Sequence, residues 1–350
     1  MSIDRRIIPI HERRQLEDSF GRPMQDLRIS VMDRCNFRCS YCMPRETFND
    51  KYRFLPSAER LTFEEITRVA RLFVGLGVRK LRLTGGEPLL RANLPDVVGE
   101  LSAIDGVDDV ALTTNGVLLK QHAAELKANG LRRVTVSLDT LDPVVFRQMN
   151  GGFDGLAQVL EGIGAARAAG LWPIKVNAVV QRGINDHTVM DLVERFRGTG
   201  IIVRLIEYMD VGTRNDWRAD RVVPSRELLE RIAGRWRVRP LQRGYHGEVA
   251  ERYEFEDGGG EVGFISSVTQ PFCGDCTRAR LSSDGRLYTC LFSGQGTDLR
   301  TPLRASATDE ELRDVVVGTW RRRVDRYSER RQEVRGAATD RKVEMFHIGG

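Results

Sequence analysis

Long apolar runs are missing from this 350-residue chain, although 41% of its residues are hydrophobic. A membrane-crossing helix needs about 20 consecutive apolar residues, so none is expected. The opening stretch Met1-Ser2-Ile3-Asp4-Arg5-Arg6 has no apolar core of the kind a secretory signal carries. The expectation is a cytoplasmic protein that engages no membrane. Lysine is nearly absent, with six among 54 basic residues; the rest are arginine. The formal net charge is only +5, a mild basicity that suits an anionic substrate but does not demand one. The run Arg321-Arg322-Arg323 reads as a solvated helical face, and no nucleic-acid partner is expected. Histidine is rarer still, at five, and His11 is the only one near the first cysteines. There are no internal repeats, and no low-complexity segment beyond a glycine turn near residue 258.

What is present is six cysteines in two triplets. The first is Cys35-Asn36-Phe37-Arg38-Cys39-Ser40-Tyr41-Cys42, a C-x-x-x-C-x-x-C spacing after the apolar stretch Leu27–Val31. Three thiolates hold three corners of a four-iron cluster and leave the fourth iron open to a substrate. Structural zinc wants four ligands, commonly in two C-x-x-C or C-x-x-H pairs, and the local set stops at three. A disulfide framework belongs to an oxidising compartment, which nothing at the N-terminus suggests. The second triplet is Cys273-Gly274-Asp275-Cys276, then Cys290 after thirteen residues. Again three thiolates are offered. A second cluster fits beside the first, and zinc with a distant fourth ligand also fits the spacing, the nearest histidine being His246.

Between the triplets, strand and helix patterns alternate. Strands are predicted at Leu27–Val31, 81–83, 110–113, 134–137, 174–180 and 201–206. Helical spacing is clearest for Phe63, Ile66, Val69, Ala70, Phe73 and Val74, with Thr62 and Glu65 as a capping box and Gly75 and Gly77 as stops. Two more helices run from Leu118 to Asn129 and from Leu156 to Ala169. Repeated strand–helix units mean a parallel α/β sheet, doubly wound or barrel. Past about Arg235 the alternation ends in a hairpin around Asp257-Gly258-Gly259-Gly260-Glu261. The expected organisation is a lead-in over residues 1–22, an α/β domain over 23–235 and a smaller α+β domain over 236–350.

Other motifs have two readings each. Gly85-Gly86-Glu87 after a strand is a common turn, or a place where backbone approaches a ligand. Ser137 is a helix cap or a contact, with Asp139 similarly placed. Met209 is ordinary core or a ligand neighbour. Arg278 and Arg280 alternate, so in a strand both point one way. They form a solvated face or a paired fork for phosphate oxygens. The terminal Gly349-Gly350 is a frayed end or a thread narrow enough to enter a site.

The C-x-x-x-C-x-aromatic-C run resembles the radical S-adenosylmethionine (SAM) superfamily. Together with Arg28, Thr113-Thr114-Asn115-Gly116, Lys175, Arg204–Asp210, Cys273-x-x-Cys276-x-Arg278-x-Arg280 and the Gly-Gly end, it closely resembles the GTP 3',8-cyclases of molybdenum cofactor biosynthesis. The resemblance spans about Gly21 to Gly350. It implies a partial (β/α)6 barrel of the TIM type with an auxiliary-cluster domain, and a motif layout at the carboxyl ends of strands. It implies a [4Fe-4S] cluster on Cys35, Cys39 and Cys42 that cleaves SAM, and a second on Cys273, Cys276 and Cys290 that holds guanine. It implies SAM contacts at Tyr41, Gly86, Ser137 and Met209. GTP contacts are implied at Arg28, Arg82, Thr113, Lys175, Arg278, Ala279 and Arg280, with Arg28, Arg278, Arg280, Gly349 and Gly350 serving catalysis. The implied product is (8S)-3',8-cyclo-7,8-dihydroguanosine 5'-triphosphate, formed when the ribose carbon radical attacks C8 of its own guanine. A flavodoxin- or ferredoxin-type electron donor, a downstream cyclic pyranopterin synthase and a homodimer are the implied partners.

Overall fold

The computed structural model describes residues 15–334 and 342–350. His11 and most of the expected lead-in lie outside the described residues. Six parallel strands come first: β1 (Asp26–Ser30), β2 (Lys80–Thr84), β3 (Asp109–Thr114), β4 (Arg133–Ser137), β5 (Lys175–Val180) and β6 (Ile202–Glu207). Helical segments cross between them, among them Phe63–Gly75, Leu94–Ser102, Leu119–Ala128, Leu156–Ala168 and Val189–Phe196. This is the partial (β/α)6 barrel that the alternation and the resemblance imply. The capping box forms as expected, with Thr62 and Glu65 each satisfying the other's backbone N–H.

Later strands join the same sheet at both edges. The hairpin of β8 (Glu251–Phe255) and β9 (Glu261–Ile265) attaches through β9, parallel to β6, and β7 (Val238–Leu241) adds outside β8. At the other edge β10 (Arg278–Leu281) lies parallel to β1, followed by β11 (Arg286–Tyr288) and β12 (Thr297–Asp298). The residues past 235 thus extend one continuous sheet on two sides.

Strand side chains alternate between two faces. Leu27, Ile29, Leu81, Leu83, Leu112, Val134, Val136, Val176, Ala178, Val203 and Leu205 turn outward into one core with the helices. Parallel strands covered on both faces usually read as continuous apolar runs. Here the inner face carries Arg28, Arg82, Thr113, Thr135, Lys175, Asn177 and Arg204 instead. A polar inner face with a well-packed outer one marks a barrel that encloses a ligand rather than a core.

Glu207 holds the carboxyl end of β6. Its buried carboxylate accepts the N–H groups of Ser225, Val268 and Thr269, at 2.9, 2.8 and 2.8 Å, and the Thr269 hydroxyl at 2.5 Å. Glu207→Ala leaves these donors without an acceptor, each costing roughly 1–3 kcal/mol when buried. We expect a loss of about 3 kcal/mol or more, read as a lower urea midpoint of the metal-free protein. An unchanged midpoint would mean that the freed donors find other acceptors.

Candidate active site

The first cysteine loop follows β1. Gly85 and Gly86 leave room for it: an added Cβ at either would run into the backbone carbonyl of Met32 or Arg34. The Gly86 N–H donates to Met32 O at 2.6 Å and the Glu87 N–H to Arg34 O at 2.7 Å. The two glycines therefore admit the cysteine loop itself. Glu87 is buried, and accepts from Thr114 Oγ1 and from the Asn115 N–H, both at 2.7 Å. Burial pushes its carboxyl up to about 7. Tyr41 donates to Asp139 at 2.8 Å, and Asp139 also accepts the Val179 N–H at 2.8 Å. Burial raises the Asp139 carboxyl to about 6.

The pairing of β10 with β1 decides where the second triplet goes. Asp26 faces Arg278, and Arg28 faces Arg280 on one side and Arg82 on the other. Three arginines thus stand abreast on neighbouring strands, about 4.8 Å apart in strand spacing. Cys276 precedes β10, whereas Cys35 follows β1, and the two strands run the same way. The second triplet therefore enters at the amino ends of the strands. The expectation that every motif sits at carboxyl ends is corrected for this one. The four residue steps of β1 put roughly 13 Å of arginine-lined strand between the two ends.

One cavity connects both ends. All six cysteines line it, with Arg28, Arg82, Thr113, Arg278, Arg280, Tyr41, Gly86, Ser137, Met209 and Gly350. Lys175, at the foot of β5, is on the same inner face as Asn177 but is not itself among the residues that line the cavity. Ala279 turns the other way, fully buried in the main core. As a side chain it is not a cavity residue, because neighbours on a strand point to opposite faces.

Sequence reasoning passed over Asn177 and Arg204 as contacts, although both line the cavity. Their alternation with Lys175 and with Ile202 and Ile206 was the available signal. It also missed Arg22 and Arg323. Arg321 and Arg322 are exposed as expected, but Arg323 is 3% exposed and turns inward.

The cavity is strongly positive. Burial, then Arg280, Arg278 and Arg82, hold Arg28 well below its usual value. Arg82 comes down to about 10 through burial and then Arg133 and Arg204, and Arg280 to about 10 through burial and then Arg278. Lys175 falls to about 6, through burial and then the charges of Arg204, Arg133 and Arg82. Arg82 donates to Thr113 and Thr135 hydroxyls at 3.0 and 3.2 Å. Such a clustering of like charge calls for a polyanion.

The thiols suit iron–sulfur clusters. All six are free and half-buried. N–H donors already point at sulfur: Phe37 at Cys35 (3.4 Å), Asn115 at Cys35 (3.8 Å), Phe292 at Cys290 (3.5 Å) and Arg278 at Cys276 (3.4 Å). Among the described residues, no three His, Cys, Asp or Glu side chains are drawn together tightly enough for a single ion. A lone zinc would hold its sulfurs within about 4 Å of one another, given a zinc–sulfur bond of about 2.3 Å.

The glycine tail is held along its length. Lys342 donates to Asp210 at 2.9 Å, the Val343 N–H to Ser293 O at 2.9 Å, and Thr213 to Glu344. Phe346 packs edge-on against Phe48 and Phe54. His347 meets Asp284 at 3.1 Å, Arg280 donates to the Gly349 carbonyl, and Gly350 lines the cavity. Gly349 takes φ +73° with Thr84 against it, a place no other residue fits without strain.

Comparison with known proteins agrees with this geometry. The Radical SAM superfamily matches residues 29–196, and Molybdenum Cofactor Synthesis C matches residues 201–329. The chain is 53% identical over 337 residues to a GTP 3',8-cyclase of Xanthomonas campestris, covering 96% of this chain and 97% of that one. It is 52% identical to one from Acidothermus cellulolyticus and 48% identical to one from Staphylococcus haemolyticus, covering 96% of this chain and 99% of each relative. Among solved structures, Streptococcus suis SuiB bound to S-adenosylmethionine superposes with a TM-score of 0.57 at 15% identity, covering 84% of this chain and 69% of that one, which speaks to the fold alone. With relatives this similar along nearly its whole length, the chain belongs to the GTP 3',8-cyclase family of radical SAM enzymes.

Proposed function

We propose that this chain cyclises GTP between the ribose 3' carbon and guanine C8, with SAM bound at one end of the cavity and GTP at the other. The observation that carries this reading is one cavity with a cysteine triplet at each end and an arginine ladder between. When bound, the cluster on Cys35, Cys39 and Cys42 supplies the electron that splits SAM and releases a 5'-deoxyadenosyl radical. Tyr41, Gly86, Ser137 and Met209 would seat SAM. Arg28, Arg82, Thr113, Lys175, Arg278 and Arg280 would seat GTP, with any role of Ala279 limited to its backbone. Arginine forks suit phosphate oxygens through paired charge-assisted bonds. Holding one molecule's two reacting carbons together while water is excluded is the residues' main contribution to rate. The tail's Gly349 and Gly350 would help orient the nucleotide through Arg280. The reading also includes a flavodoxin- or ferredoxin-type donor, a downstream synthase acting on the product and a homodimer, the last checked by mass in solution.

The direct test is anaerobic incubation with SAM, reductant and GTP, followed by mass analysis of the product. Replacing Cys35, Cys39 and Cys42 together by serine should abolish SAM cleavage and leave about half of roughly eight irons, four per cubane. Cleavage at the parental rate would remove the first triplet from its assigned role.

Deletion of Gly349 and Gly350 should sharply reduce cyclisation while uncoupled SAM cleavage and the iron content persist. Full cyclase activity in the shortened protein would restore the frayed-end reading.

Lys175 gives a pH-linked test. With its value near 6 it is mostly neutral at pH 7.5 in the free protein. A triphosphate beside it favours the charged form, so GTP binding should take up about one proton. Calorimetry in buffers of different ionisation enthalpy reads this number. Lys175→Met should remove the uptake, and equal uptake in parent and variant would place the proton elsewhere.

A further inference from the structure

Two guanidiniums behind the second triplet have no part in the reaction as described. Arg22 comes from the lead-in, and Arg323 follows the helix Asp309–Arg321. Both share one carboxylate: Asp18 accepts from Arg22 Nε at 2.6 Å and from Arg323 Nη1 at 3.3 Å. The three side chains are at most 2% exposed. The two cations share this one fully buried carboxylate, with the partly exposed Asp325 as a second counter-charge to Arg323.

Arg22 Nη1 donates to the Asp325 carbonyl at 2.8 Å, and the remaining side-chain bonds of the pair lead to the cysteine loop. Arg22 Nη1 donates to the carbonyl of Cys273 at 2.8 Å, and Arg323 Nη1 to that of Cys276 at 2.7 Å. The Trp320 indole N–H donates to the Arg22 carbonyl at 3.2 Å, pinning the lead-in against that helix. Yet Arg22 Nη2 and Arg323 Nε are buried with no hydrogen-bond partner among the described residues. Asp325 is an ion-pair neighbour of Arg323 Nε at 3.6 Å, beyond hydrogen-bond reach. Both arginines line the cavity that Cys273 and Cys276 line. Buried N–H donors without acceptors are rare in native proteins and ask for an explanation.

We propose that Arg22 and Arg323, oriented by Asp18, form a positioning cradle for the iron–sulfur cluster on the second triplet. They fix the carbonyls of two ligand cysteines, and their unpartnered N–H groups are donors left for the cluster's sulfur atoms. This rests on the reading that the second triplet holds such a cluster. Hydrogen bonds to sulfur and nearby positive charge favour the reduced, more negative form of a cluster, so the cradle raises its reduction potential. It also retains the cluster, because the loop can release iron only after these carbonyl bonds loosen.

The test uses the full chain with Cys35, Cys39 and Cys42 replaced by serine, so that only the second cluster is observed. Arg22→Gln and Arg323→Gln should each shift its midpoint potential to more negative values and change its paramagnetic resonance spectrum. Each should speed its loss of iron to a chelator about tenfold, the usual scale for a residue supporting metal ligands. Arg22→Lys keeps the charge without the fork and should fall between. Misfolding is separated by placing Arg22→Gln in a chain with Cys273, Cys276 and Cys290 replaced, where the first cluster should still load fully. Failure to load there overturns the cradle in favour of a general folding role. Potential, spectrum and chelator half-life unchanged in both glutamine variants also overturn it. Absence of iron from the second triplet of the unsubstituted parent overturns the cluster assignment itself, a different result from either.

Discussion

The parallel pairing of β10 with β1 is the contact on which the rest of the site depends. It brings a strand from the last quarter of the chain beside the first strand of the barrel, in a register that aligns Arg280 with Arg28 and Arg82. Shifted by one residue, the same pairing would turn Arg278 and Arg280 into the core and Ala279 and Leu281 into the cavity. Core packing prevents that slip, since Ala279 and Leu281 are fully buried on the outer side. Apolar burial on one face therefore fixes charge placement on the other.

Electrostatics and shape then act together. Like charges on adjacent strands repel, and burial adds to the cost of keeping them ionised. The fold tolerates this because the outer face of the sheet is well packed. The strain is placed where a polyanion would relieve it. The cysteine thiols obey the same logic with the opposite sign. Burial, then Glu87, pushes Cys35 up to about 12. At Cys276 burial acts the same way, but Arg278 and then Arg323 overcome it and bring the thiol down to about 6. The lowering is local to Cys276, since burial and then Asp325 push Cys290 of the same triplet up to about 12.

Much of this was legible in the chain. The triplets are local spacings, and the strand–helix alternation of residues 23–235 needs only periodicity and caps. Arg278 and Arg280 betray themselves by alternation. What sequence could not give is pairing over long separations. Asp18 stands four residues before Arg22, but nothing announces that Arg323, some 300 positions on, shares it, or that Arg22 reaches the carbonyl of Asp325. The arginine run at 321–323 looked like solvated surface since two of its three members are. The entry of the second triplet at the amino ends of the strands depended on β10 running parallel to β1, and four residues carry no sign of direction.

The order of the strands in the sheet has a consequence for how the chain is made. On the β10 side, the edge of β1 stays uncovered until residues near 280 have left the ribosome. At about 5–20 residues per second, the intervening 250 residues take on the order of 10–50 s. For that interval the nascent barrel displays an open, partly apolar strand edge, the surface most prone to pair with a neighbouring chain. Helix-rich parts of the barrel can fold early, but the sheet cannot close over this edge from local contacts. A crowded translation apparatus therefore meets this protein at its most adhesive just before its catalytic chamber acquires its second wall.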